Sequence, residues 1–175
     1  MTKILTAAVL TVLAFTLSAC GGNGDAEASK AISDSIMTSQ KSQGSSSQFF
    51  EMKREDADCI GDGLVGEIGT EQLQDYGLLT EENKTDKGVG DVKMSKSDSE
   101  SATGVLFGCT DVEGMMQTAI TKSGSVPAQM KDCVNKTLTE ENLRPMFSKI
   151  FQGKQEEAQK DLTTPMMKCA TGSAG

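Results

Sequence analysis

The sequence contains no histidine and no tryptophan, one tyrosine, three prolines and only two arginines, Arg54 and Arg144. Without histidine there is no Ser-His-Asp or Cys-His nucleophile pair, no imidazole acid or base, and no histidine ligand for zinc. Basic side chains number 17 against 25 acidic ones, a formal net charge of −8. Nucleic acids and anionic lipid surfaces are gripped through clustered cations, so this balance argues against both as electrostatic partners. No P-loop and no GxGxxG occurs, and the cysteines lack CxxC spacing, which removes thioredoxin-like and cysteine-zinc sites. No stretch alternates apolar and polar residues as a half-buried strand would. The six phenylalanines and single tyrosine leave a core poor in aromatics, which makes covalent reinforcement valuable.

What is present begins with an address. Lys3 is the only early charge, and Ile4 to Leu17 forms an apolar run of 14 residues. A permanent membrane span needs about 20 apolar residues, so this run is too short to be one and reads instead as a secretory signal. It ends at Leu17-Ser18-Ala19-Cys20, followed by Gly21-Gly22. Leucine, two small residues and a cysteine resemble the lipobox of bacterial lipoprotein precursors. The resemblance implies cleavage after Ala19, with signal peptide 1–19 removed, and lipid on Cys20. Diacylglycerol joined through a thioether, with a further fatty acyl group such as palmitate, would hold the chain on the extracytoplasmic face of the cell membrane. An ordinary signal with an incidental cysteine is the alternative, and position, flanks and glycine-rich sequel all favour the lipobox. The mature chain would then have 156 residues, enough for one ordinary domain.

Assigning Cys20 to lipid leaves an even set: Cys59, Cys109, Cys133 and Cys169. Export places them in an oxidising compartment, so two disulfides are expected. Four cysteines permit three connectivities. A weak internal repeat favours one of them. Asp58-Cys59-Ile60 and Asp132-Cys133-Val134 each open an apolar segment, and Leu64 matches Leu138. Thr70-Glu71-Gln72-Leu73 resembles Glu140-Glu141-Asn142-Leu143, and each half closes on a cysteine with a threonine six residues before it, Thr103 and Thr163. Bonding within each half, Cys59–Cys109 and Cys133–Cys169, is the simplest pairing for duplicated halves.

The periodicity predicts an all-α fold of six or seven short helices in two weakly repeated halves, each stapled by a disulfide. Residues 20–47 carry the lipidated cysteine and read as a flexible tether with a weak helical stripe at Ala31, Ile32 and Ile36. As coil, 21–47 would span roughly 30 Å. The helical domain is expected over 48–171, with halves of about 48–122 and 125–171, and 172–175 as a disordered tail. Ala57, Ile60, Leu64 and Ile68 recur at helical spacing over 48–67, despite three glycines. Thr70 reads as the N-cap of a short helix ending at Tyr76, with Gly77 in a Schellman stop between Leu73 and Leu78. Residues 80–97 show no period and read as a functional or mobile loop. Ala102, Val105, Leu106, Cys109, Val112, Met116, Ala119 and Ile120 form one continuous stripe. Ser125-Val126-Pro127 opens the next helix, with Met130, Val134 and Leu138 inward. Pro145 fits best in a first turn, which points to Asn142 rather than Thr139 as the following N-cap. Gly153 ends that helix, and Ala158, Leu162, Met166 and Cys169 continue on a last one, kinked or restarted at Pro165.

Candidate chemistry is thin. The carboxylate pairs Glu140/Glu141, Glu156/Glu157 and Glu81/Glu82 are better explained by helix dipoles and solvation than by glycosidase-type catalysis. Residues 86–91 lack the order and closing glutamate of a calcium loop. Nine methionines follow the initiator: Met37, Met52, Met94, Met115, Met116, Met130, Met146, Met166 and Met167. They read as core filling before soft-metal ligands, with Met115 and Met167 off the stripes. The stretch ADCIGDGLVGEIGTEQLQDYGLL at 57–79, with DCVNKTL in the second half, resembles small cysteine-paired helical lipoproteins and secreted proteins of actinobacteria. That resemblance covers 57–169 and carries no catalytic residue. The expectation is a non-enzymatic, membrane-anchored binding module without cofactor, metal or nucleic-acid partner, whose partner is a protein or envelope component. The alternative is a carrier of an apolar ligand or soft metal between helices, and the least favoured reading is a hydrolase using a carboxylate pair.

Overall fold

The computed structural model describes residues 23–42, 52–88, 91–122, 127 and 130–170, and the signal peptide, Cys20, residues 43–48 of the expected linker and the 172–175 tail lie outside them. Among the described residues the fold is all-α, with eight helices and no strand. They are α1 (Asn23–Ser42), α2 (Arg54–Ile68), α3 (Thr70–Asp75), α4 (Lys96–Cys109), α5 (Val112–Lys122), α6 (Lys131–Thr137), α7 (Glu140–Phe151) and α8 (Gln155–Ala170). The count exceeds the expected six or seven for reasons visible at individual residues.

The first correction concerns the tether. Residues 23–42 form a 20-residue helix seated on α2, with Ala28 and Ile32 fully buried and Ser29 and Ser33 beside them. Its contact face sets Ala28, Ser29 and Ser33 around Ile32, and the small residues carry little hydrophobic signal. What they offer is close approach. The Ser33 hydroxyl reaches the carbonyls of Ser29 and of Ala57 in α2, each at 3.0 Å. A Cβ on Gly61 of α2 would lie 2.7 Å from Ser33 Oγ, so the glycine is required by the crossing.

The stripe from Ala102 to Ile120 is divided. Thr110 is extended, with φ −147° and ψ 150°, and ends α4. The Asp111 carboxylate then accepts from the Gly114 N–H at 2.8 Å, capping the start of α5. Thr70 does not cap α3. Gly69 holds that position, and the Thr70 hydroxyl donates to Asp25 of α1 at 2.7 Å. The stop of α3 is the Schellman arrangement: Leu78 N–H bonds the Leu73 carbonyl at 3.0 Å, and Gly77 N–H bonds that of Gln74 at 2.8 Å. Gly77 has φ 72°, the left-handed region that glycine enters freely.

Helix α7 begins at Glu140, not after Asn142, and Pro145 lies inside it. The Glu140 N–H is taken by Glu113 of α5 at 2.8 Å, so a distant side chain supplies the cap. Starting there puts Leu143, Met146 and Phe151 on the buried face. Helix α8 runs unbroken through Pro165. The aperiodic 80–97 segment is partly core. Val92 and Met94 are buried, Met94 N–H bonds the Phe151 carbonyl at 2.8 Å, and α4 starts inside the segment with Ser95 capping Asp98.

Two apolar clusters result. The first joins α1, α2, α3, α4, Leu78, Leu79, Val92, Met94 and Phe151 of α7 around Ile32, Leu64 and Leu73. The second joins α5 to α8 around Val112, Val134, Leu138, Leu143 and Met146. Phe147 and Leu106 pack against both. Cys59–Cys109 ties α2 to the end of α4, and Cys133–Cys169 ties α6 to the end of α8, each with Cα atoms 5.6 Å apart.

Candidate functional site

The cysteines are the residues that the sequence singled out most strongly, and the described ones are all structural. Cys59 is exposed and Cys169 is 7 % exposed. The carboxylate pairs are dispersed over the surface. Glu140 is bonded to Arg144 at 2.7 Å and Glu82 to Lys84 at 2.7 Å, while Glu156 and Glu157 are exposed in the first turn of α8. The methionines are shared out as well. Met52 and Met94 belong to the first cluster, and Met116, Met130, Met146 and Met166 to the second. Met115 accepts from the Thr110 hydroxyl at the α4–α5 corner, and Met167 is 61 % exposed.

An ion-pair network marks the α1–α2 surface. Asp34 bonds Lys30 at 2.5 Å and Arg54 at 2.6 Å, and Arg54 also reaches Asp58 at 3.0 Å. The Lys30 and Arg54 hydrogen bonds hold the Asp34 carboxyl below the ordinary aspartate range, and Asp34 in turn raises Arg54. All four side chains are solvated, so the network orients α1 on α2 more than it stabilises the fold.

Among the described residues, a feature that can hold a ligand lies in the second half. A cleft of about 700 Å³ opens between the end of α6, one face of α7 and one face of α8. Leu143, Met146, Pro145, Leu162 and Pro165 supply its apolar surface. Lys136, Lys149, Lys160 and Lys168 supply its cationic side chains, with Glu141 and Asp161 as the carboxylates. Lys149 and Asp161 neutralise one another at 2.5 Å. Among the described residues Lys136 and Lys160 take part in no ion pair.

Local sequence builds these walls. Thr137, in the last turn of α6, bonds the Cys133 carbonyl at 2.9 Å, and Asn142 of α7 bonds the Thr137 carbonyl at 2.9 Å. The α6–α7 corner is thereby fixed. Cys133–Cys169 then locks α6 to α8 across the same end. Pro145 and Pro165 have no N–H, so neither can donate the usual bond to the carbonyl four residues back, at Glu141 and Asp161. Both prolines and both acidic residues line the cleft.

No protein-family model, curated protein or solved structure matches this chain. The cleft therefore has to be read from its own chemistry.

The cleft lysines were not among the candidate residues found in the sequence. A signal was available there. Residues 1–122 hold ten basic and 19 acidic side chains, whereas residues 123–175 hold seven basic and six acidic. Total charge hid that asymmetry.

Proposed function

We propose that this chain is a lipid-anchored, extracytoplasmic lipoprotein whose helical body is a non-enzymatic binding module. The cell-membrane address rests on the Leu17-Ser18-Ala19-Cys20 junction. The observation that carries the binding reading is the α6–α8 cleft, where Pro145, Leu162 and Pro165 stand beside the side chains of Lys136, Lys149, Lys160 and Lys168. Its size falls within the range of about 300–1,000 Å³ usual for small-molecule sites.

The two halves are read as diverged repeats. Cys59 in α2 pairs with Cys109 at the end of α4 and Cys133 in α6 with Cys169 at the end of α8, so each disulfide spans three successive helices, and α5 follows the first set without a counterpart. Thr103 and Thr163, six residues before those closing cysteines, each donate to the carbonyl four residues back.

The carrier alternative draws on the same cleft through Pro145, Leu162 and Pro165. A soft-metal role has less support, since the methionines are divided between two clusters. A carboxylate-pair hydrolase has least, because its candidates are solvated or already ion-paired.

The anchor is tested in a bacterial host that processes lipoproteins. The wild-type chain should partition with membranes and gain the mass of diacylglycerol and fatty acid, while Cys20→Ala should be released. Membrane retention of Cys20→Ala without a lipid mass change on the wild type would overturn the anchor. Binding is tested by photo-cross-linking from Lys160 on intact cells, where absence of any reproducible adduct would count against a binding module.

A further inference from the structure

We propose that the α6–α8 cleft binds a single-chain amphiphile with an anionic head group. This deepens the binding-module reading and rests on it for the identity of the site. The acyl chain lies along Pro145, Leu162 and Pro165, and the head group meets Lys136 and Lys160.

Three observations converge on this occupant. The first is the division of the lining. Pro145 from α7 and Leu162 and Pro165 from α8 line the cleft with accessible apolar surface, whereas Leu143 and Met146 behind them are buried in the second cluster.

The second is charge. In a chain of net charge −8, four lysines surround one cleft, against two carboxylates of which Asp161 is already neutralised by Lys149. Lys136 and Lys160 come from different helices and have no ion-pair partner among the described residues. An anionic head would satisfy both, whereas a neutral or cationic ligand would leave them as they are. An acidic protein surface could also meet lysines, but it would gain little from Pro145, Leu162 and Pro165 between them.

The third is size and rigidity. About 700 Å³ accommodates one chain with its head, and the walls are held by Cys133–Cys169 and the Thr137–Asn142 corner. A ligand entering a preformed site loses less free energy to ordering the protein. Attachment to the membrane through Cys20 would keep such amphiphiles within reach.

The test uses the full mature chain, residues 20–175, with Cys20→Ala so that neither detergent nor its own lipid competes. Dodecanoate and a lysophosphatidic acid of the same chain length are titrated below their micelle concentrations by calorimetry, with native mass spectrometry for stoichiometry. The neutral monododecanoyl glycerol and inorganic phosphate are run beside them. One anionic amphiphile should bind per chain, and the neutral glyceride about tenfold more weakly or less. Preference between carboxylate and phosphate head then identifies the source. The exposed pair Lys136→Gln/Lys160→Gln should weaken the anionic ligand about tenfold and leave the glyceride unchanged, while Lys154→Gln, outside the cleft, should change neither.

Equal affinity for neutral and anionic ligands overturns the proposal, as does full competition by inorganic phosphate alone, unchanged affinity in the double variant, or no binding. If no amphiphile binds and the Lys160 cross-link on cells captures an acidic protein, the ligand class fails while the binding-module reading stands. If the cross-link captures nothing either, both fail.

Discussion

Gly61, Gly63 and Gly66 lie within one helix and do three different things. Gly61 lets α1 lie against α2, Gly63 leaves room for the Val105 side chain of α4, and a Cβ on Gly66 would meet nothing within 4 Å. Gly66→Ala should therefore stabilise the protein by about 0.5–1 kcal/mol through helix propensity alone. Gly61→Ala gains the same propensity but overpacks the crossing, at a cost of about 1–3 kcal/mol, so it should be a net loss. Urea unfolding of the oxidised proteins measures both, and a more stable Gly61→Ala would mean that α1 is not seated where the structure puts it. The sequence shows three helix-weakening glycines; it does not show which neighbour each one faces, and that neighbour decides the sign. Asp34 illustrates the same dependence on a partner 20 residues away, Arg54. Its folded-state pKa is depressed, so the stabilisation is present above the ordinary aspartate range and is lost as pH falls through the lower folded value. Asp34→Asn should melt slightly below the wild type at neutral pH, and the gap should narrow as pH falls from about 5 towards 2. A gap that widens on acidification would contradict the assignment of Lys30 and Arg54 as the groups holding this carboxylate charged.

Element boundaries were legible where the capping groups are local. Leu73, Gly77 and Leu78 supply their own stop, as do Lys149, Gly153 and Lys154 at the end of α7, where Gly153 has φ 73°. They were misread where the partner is remote. Glu113 supplies the cap of α7 from α5, and the Asp25 carboxylate draws the Thr70 hydroxyl away from α3. The break between α4 and α5 had a local signal in Thr110-Asp111, but it interrupts a stripe whose apolar spacing continues across it. The disulfides act at this scale because each joins two helices of one half. The loops span 50 and 36 residues. In the chain-entropy account each bond contributes about 4 kcal/mol, so Cys59→Ala/Cys109→Ala and Cys133→Ala/Cys169→Ala should be comparably destabilised. Their accessibility differs. Thiol–disulfide exchange needs an attacking thiolate to reach sulfur, and Cys59 is exposed whereas Cys169 is buried. Under a limiting dithiol, alkylation followed by peptide mapping should find Cys59 and Cys109 modified first. Earlier modification of Cys133 and Cys169 would show that the second half opens more readily than the first.

Across the whole molecule, the two clusters meet at an aromatic seam that sequence periodicity could not reveal, because each helix face is read separately. Phe147 stacks edge-on against Phe107 with centroids 5.6 Å apart and lies 6.5 Å from Phe151. The Arg144 guanidinium covers the Phe107 ring at 4.9 Å. Phe107, Phe147 and Phe151 are all the phenylalanines among the described residues, so among these residues the phenylalanine rings gather where the halves join. Beside it, Ser99 and Ser148 hydroxyls lie 3.1 Å apart, and the Gln152 amide bonds both. Charge is divided along the same line, with the acidic excess in the first half and the lysine-edged cleft in the second. If Phe147 couples the halves, Phe147→Ala should do more than lower stability by about 2–4 kcal/mol. Tyr76, the single tyrosine, packs with the first cluster and donates to Asp98 at 2.5 Å, so its fluorescence follows that half alone. Circular dichroism follows every helix. In the wild type the two unfolding curves should coincide, as a cooperative unit requires. In Phe147→Ala they should separate, with the half that lacks its own stabilising contacts melting first. Coincident curves in the variant would place the coupling in the Ser99–Ser148–Gln152 contact instead, and Gln152→Ala would then be the substitution that separates them.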